Sequence, residues 1–124
     1  MALKPLRPEQ RAAADPGISA FVSASAGTGK TQVLTARVLR LLLAGAAPDR
    51  LLALTFTKAA AAEMQTRIFE TLGDWVTADD AGVAADLAAI GADTDPATMF
   101  RARSLFAGAP ASFPVWPLSA TRFP

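Results

Sequence analysis

The stretch Ile18-Ser19-Ala20-Phe21-Val22-Ser23-Ala24-Ser25-Ala26-Gly27-Thr28-Gly29-Lys30-Thr31 decides how this chain is read. Ile18–Ser23 is short, carries aromatic and β-branched residues near its middle and follows Pro16-Gly17, which predicts a buried strand. Ala24–Gly29 is built of small residues and glycines and predicts a loop. Lys30–Leu43 predicts a helix, because Val33, Leu34, Val38, Leu41 and Leu42 recur at helical spacing and Gly45 then Pro48 stop the run. Ala24-Ser25-Ala26-Gly27-Thr28-Gly29-Lys30-Thr31 fits the phosphate-loop pattern with Ala in place of the first Gly. Small residues let backbone N–H groups converge on a polyphosphate, and the helix that follows presents its positive dipole end. Lys30 then reaches the β- and γ-phosphates, and the Thr31 hydroxyl is placed to ligate Mg²⁺, so ATP with Mg²⁺ is the expected ligand. A small-residue αβ loop with a surface Lys is the bland alternative.

Working outward, Glu9–Ala14 predicts a short helix between prolines, and Leu51–Thr55 a second buried strand. Thr57 can cap a helix from Ala59 to Leu72 that ends at Gly73, with Ala60, Met64, Ile68 and Leu72 as its apolar edge. Glu63 and Arg67 form an i,i+4 pair of the favourable order. Strand, helix, strand, helix predicts an α/β fold, the N-terminal part of a P-loop (RecA-like) ATPase domain with parallel strands and an incomplete sheet. Asp80–Ile90 and Pro96–Ala107 are further helix candidates that make the C-terminal half helical. The domain is expected over residues 1–107, and 108–124 as an irregular tail. Four prolines between Pro110 and Pro124 oppose both helix and central strand there.

Composition narrows the chemistry. At 124 residues and 52% hydrophobic, the chain is one small domain with a packed core, though 29 alanines keep that core's side chains small. It holds no Cys and no His, which excludes disulfides, thiolate or imidazole metal sites and His-based acid–base catalysis. The net charge of +1 divides into +5 over residues 1–68 and −4 over residues 69–124. The first part suits a polyanion and the second a solvated acidic face. No apolar run approaches the ~20 residues that span a bilayer. A cytoplasmic protein with no membrane partner is therefore expected.

Beyond the phosphate loop, Thr55-Phe56-Thr57-Lys58-Ala59-Ala60-Ala61-Ala62-Glu63-Met64 follows the second strand; taken alone it reads as a capped, Ala-rich helix. Together with Pro8-Glu9-Gln10-Arg11-Ala12-Ala13 and Val22–Thr31, it resembles the UvrD/Rep-type superfamily 1 DNA helicases. The blocks look like that family's Q motif, motif I and motif Ia. Gln32–Pro48 and Leu72-Gly73-Asp74-Trp75 also look like the family's AddA-type helicase–nuclease branch in its alphaproteobacterial form, and the likeness runs from about Arg7 to Phe106.

The resemblance implies an ATP-dependent helicase and nuclease acting on DNA in double-strand break repair, with an AddB-like partner subunit. It implies that Gln10 meets the adenine edge, since an amide offers a donor and an acceptor together, with a surface Gln as the alternative. It implies ATP–Mg²⁺ on Ala24, Ser25, Ala26, Gly27, Thr28, Gly29, Lys30 and Thr31. Single-stranded DNA would meet Thr55, Phe56, Thr57 and Lys58, with Phe56 either a stacking face or a core aromatic. Arg37, two turns past Lys30, reads as a surface or packing Arg.

The family's Walker B acidic pair and second motor domain have no counterpart in these residues. Asp79-Asp80 follows Trp-Val-Thr-Ala rather than an apolar strand and is not read as Walker B. From about Gly108 the likeness stops, and a frameshifted or truncated end is expected. The isolated chain is accordingly expected to be inactive. A nucleotide-binding module, or a non-functional gene fragment without turnover, is the alternative reading.

Overall fold

In the computed structural model the described residues are 3–18, 30–46, 53–55, 58–107 and 115–117. They form five helices, α1 (Pro8–Ala14), α2 (Lys30–Leu43), α3 (Lys58–Thr77), α4 (Asp80–Ala89) and α5 (Pro96–Ser104), and two strands, β1 (Ala53–Thr55) and β2 (Val115–Pro117).

The expectation of an α/β sheet domain is corrected. The body is helical, and the described strand structure is one three-residue pair, β1 parallel to β2. Ile18, the first residue of the expected Ile18–Ser23 strand, lies in a bend, and the rest of that segment is outside the described residues. The tail expected to be irregular supplies β2, with Ala53 opposite Val115 and Thr55 opposite Pro117. Pro117 stands at the strand's last residue, where its missing N–H costs the ladder least.

Helix limits follow local chemistry where local chemistry is strong. α2 spans Lys30–Leu43 as its periodicity dictates. It closes through Gly45 at φ 101°, with Gly45 N–H donating to the Leu42 carbonyl at 3.1 Å and Ala46 N–H to Leu41 at 3.0 Å. α4 closes the same way through Gly91 at φ 78°: Gly91 N–H donates to Ala88 at 3.1 Å and Ala92 N–H to Leu87 at 2.9 Å. A left-handed residue lets the chain turn back onto the last free carbonyls, and Gly adopts it without a Cβ clash. α4 and α5 begin under Asp caps: Asp79 accepts from Gly82 N–H at 2.8 Å, and Asp95 from Thr98 N–H at 3.1 Å. α5 is shorter than expected, ending at Ser104 with Leu105 as its cap.

Gly73 does not end α3, which continues to Thr77. The extra turn buries Trp75 completely and carries its indole to Asp86 on α4, with Nε1–H donating to Oδ2 at 3.1 Å. Arg103 of α5 then closes the helix end, donating to the carbonyls of Trp75 at 3.0 Å and Ala78 at 2.8 Å. The Phe106 ring lies beside Gly73 at ordinary packing distance, and the glycine stands inside the helix rather than at a break.

The core sits between α2, α3 and α4, where Leu39, Leu42, Ile68, Leu72, Trp75, Val83 and Leu87 are fully buried. Each such aliphatic side chain stabilises by about 1.5–3 kcal/mol relative to exposure. α1 packs on α2, and α5 packs on α3 and α4. On α3 the buried set Ala61, Met64, Ile68, Leu72 and Trp75 is one helical stripe. Ala60, expected on that stripe, has a side chain outside the described residues.

Candidate functional site

Ala24, Ser25, Ala26, Gly27, Thr28 and Gly29 lie outside the described residues, as do Phe56 and Thr57. Lys30 and Thr31 open α2. Their position there follows from the apolar register of the helix behind them, since Val33, Ala36, Leu39 and Leu43 are buried. The first turn of α2 carries no acidic residue, so the helix places no carboxylate of its own against an anion at its positive end.

Gln10 is buried in α1, and its Oε1 accepts the Arg7 N–H at 2.8 Å. It sits at the third helical position and caps the start of its own helix, a role its Pro-Glu-Gln context could have disclosed. Thr55 ends β1, and Lys58 is exposed as the first residue of α3. Two of the four residues expected to meet DNA thus stand at consecutive element ends.

Three side chains of α2, of which the sequence analysis placed only Arg37, fix the N-terminal segment to that helix. Gln32 Nε2 donates to the Lys4 carbonyl at 3.0 Å. Arg37 donates through Nη1 to the carbonyls of Ala13 at 2.9 Å and Asp15 at 3.0 Å, and through Nη2 to Ile18. Arg40 Nη1 donates to the Arg11 carbonyl at 3.1 Å. Arg37 is therefore a packing Arg, holding the turn after α1. These bonds seat the helix that carries Gln10 against the helix that Lys30 opens. Their only signal in the sequence is two arginines interrupting an otherwise apolar run.

Asp79 and Asp80 are engaged in structure: Asp79 caps α4, and Asp80 accepts from Arg103 at 2.7 Å. Arg67 meets Glu63 at 2.6 Å, the i,i+4 pair read from the sequence. Exposed as it is, the pair contributes little. Among the described residues no three acidic groups converge into a metal cluster. An Mg²⁺ ion carried in by a nucleotide keeps waters and phosphate oxygens and takes only one or two protein ligands, so a single hydroxyl such as that of Thr31 would fit it.

The UvrD/REP helicase N-terminal domain family matches residues 6–99, more than half of the chain, and the chain belongs to that family. Its relatives include proteins named as the A subunits of ATP-dependent helicase/nucleases. The one from Lactobacillus helveticus is 58% identical over 60 residues, 48% of this chain and 5% of that protein. The one from Latilactobacillus sakei is 54% identical over 68 residues, 54% of this chain and 8% of that protein. The one from Lactobacillus gasseri is 50% identical over 66 residues, 53% of this chain and 6% of that protein. The chain thus spans under a tenth of the length of these relatives. No solved structure matches it. Among the described residues no helix is long and apolar enough to cross a membrane.

Proposed function

We propose that this chain is the ATP-binding N-terminal part of an AddA-like, ATP-dependent DNA helicase/nuclease that acts in double-strand break repair in the cytoplasm, beside an AddB-like partner. The alphaproteobacterial likeness belongs to the same proposal, although the relatives named above are Lactobacillales proteins. The observation that carries it is the pair Lys30-Thr31 opening a helix with no acid in its first turn, inside a family match that spans both. Lys30 supplies the mobile positive charge over the β- and γ-phosphates, and the backbone of Ala24–Gly29 supplies N–H donors. Thr31 would hold Mg²⁺ through its hydroxyl, and the ion would supply charge neutralisation at the phosphates. Gln10 reads the adenine edge from α1, held in place by its own cap and by Arg37. Thr55, Phe56, Thr57 and Lys58 meet single-stranded DNA through hydroxyls, a ring face and a charge.

A second reading is favoured by Asp79 and Asp80, which are occupied by a helix cap and by Arg103. It holds that the 124-residue chain by itself binds nucleotide without turning it over. On this reading the groups that orient water and compensate charge in the transition state would come from outside these 124 residues.

A thermal-shift titration with Mg·ATP tests both. The chain gains melting temperature with Mg·ATP, and Lys30→Ala removes the gain. Thr31→Ala keeps binding but loses its dependence on Mg²⁺. Equal shifts in wild type and Lys30→Ala reject the nucleotide assignment. Phosphate release that vanishes in Lys30→Ala rejects the reading without turnover.

A further inference from the structure

We propose that the half-open cavity lined by the N-terminal segment, α2, α3 and Ile90 after α4 binds a small uncharged molecule with an apolar body and one hydrogen-bonding group. The cavity measures about 400 Å³. That lies at the small end of the ~300–1,000 Å³ that ligand pockets occupy. Leu3, Leu6, Leu39 and Ile90 line it, and the last three are almost wholly buried.

Thr35 of α2 lines the same cavity. It is 8% exposed, and among the described residues its hydroxyl is the one buried side-chain polar atom without a hydrogen-bond partner. A helical Thr ordinarily bonds the carbonyl one turn back. Thr71, on the facing helix and lining the same space, does so, with Oγ1 donating to Arg67 at 2.8 Å. Thr35 does not, and buried hydroxyls are almost always satisfied by protein, water or ligand. The orphaned hydroxyl therefore marks where the ligand's polar group sits.

The remaining polar lining sets the ligand's charge. Lys4 and Arg67 stand with Glu70 and Asp74, and Arg67 is already paired with Glu63, so charges of both signs meet there and an anion gains nothing. The apolar walls exclude a bare charge from the floor. The inference rests on Thr35 and its surroundings and is independent of the nucleotide assignment.

Phenol is the probe, with toluene as the same body without a hydroxyl and benzoate as the charged form. Each is titrated into the full 124-residue chain and followed by amide NMR shifts. Phenol is expected to shift the amides of Leu6, Thr35 and Leu39 saturably, and more tightly than benzoate. Thr35→Val keeps the side chain's shape and removes the hydroxyl. It is expected to weaken phenol about fivefold, the size of one net hydrogen bond, while toluene is unaffected. Shifts that never saturate, benzoate binding as tightly as phenol, or unchanged phenol affinity in Thr35→Val each overturn the proposal. Should Thr35→Val fail to fold, Thr35→Ser decides: retained phenol binding supports the site, and its loss overturns it.

Discussion

The indole Nε1–H of Trp75 donates to Oδ2 of Asp86 at 3.1 Å, with both residues buried, and the other carboxylate oxygen accepts the Leu3 N–H at 2.9 Å. One carboxylate thereby joins α3, α4 and the N-terminal segment. Asp86→Ala leaves both donors without their acceptor, at about 1–3 kcal/mol for each that stays buried. Urea denaturation is expected to show a loss within that range. Trp75→Phe, which removes the indole donor and leaves a gap in a full core, is expected to cost at least as much. A neutral Asp86→Ala variant refutes the joint.

Arg37 serves three carbonyls, those of Ala13, Asp15 and Ile18, from a single guanidinium. Arg37→Met keeps most of the stem and removes every donor. The expected loss is about 1–3 kcal/mol, since hydrogen bonds from a charged group exceed neutral ones but these carbonyls partly regain water. Hydrogen exchange is expected to speed up across α1. Unchanged protection of those amides would show that α1 is seated by its apolar contacts alone.

Gly45 and Gly73 are expected to respond to alanine with opposite signs. Gly45 has φ 101° and nothing within 4 Å of an added Cβ, so the penalty is conformational and not a clash with neighbours. Gly45→Ala is expected to destabilise by about 1–2 kcal/mol. Gly73 lies inside α3, and its Cβ would meet the Phe106 ring at 3.5 Å, an ordinary contact. Gly73→Ala is expected to stabilise by about 0.5–1 kcal/mol through the lower entropy of the unfolded chain. Melting curves that move both variants the same way would contradict one of the two conformations.

The hydrogen bonds from Thr98, its side chain first and its backbone N–H second, hold the Asp95 carboxyl below its ordinary value. A folded-state pKa below the unfolded one means that the cap's contribution is present above the ordinary Asp range. It is lost as pH falls through the lowered value. The start of α5 is therefore expected to fray in acid while neutral pH leaves it intact. A carboxyl NMR titration of Asp95, with the Thr98 amide as reporter, checks the order. Asp95→Asn, which still caps, is expected to flatten the pH dependence.

What the sequence determined by itself are features whose causes lie within a turn or two of chain. α2 has the limits its periodicity implies because its apolar stripe and the closure at Gly45 are local. The Glu63–Arg67 pair is legible for the same reason: its two charges stand four residues apart. The phosphate-loop expectation rests on a local motif, since Lys30 and Thr31 derive their meaning from the glycines before them and the helix behind.

Only the tertiary structure decided that α3 runs through Gly73, because Trp75 gains burial and Asp86 that a break would forfeit. It also decided that Ala53–Thr55 pairs with Val115–Pro117, from a tail that the sequence alone leaves irregular. It assigned Arg37 to three carbonyls and left Thr35 facing a cavity. Leu3 and Asp86 meet across 83 positions of chain. Such a contact depends on how every intervening element packs. Periodicity shows which face of a helix is apolar, but not which distant group will lie against it.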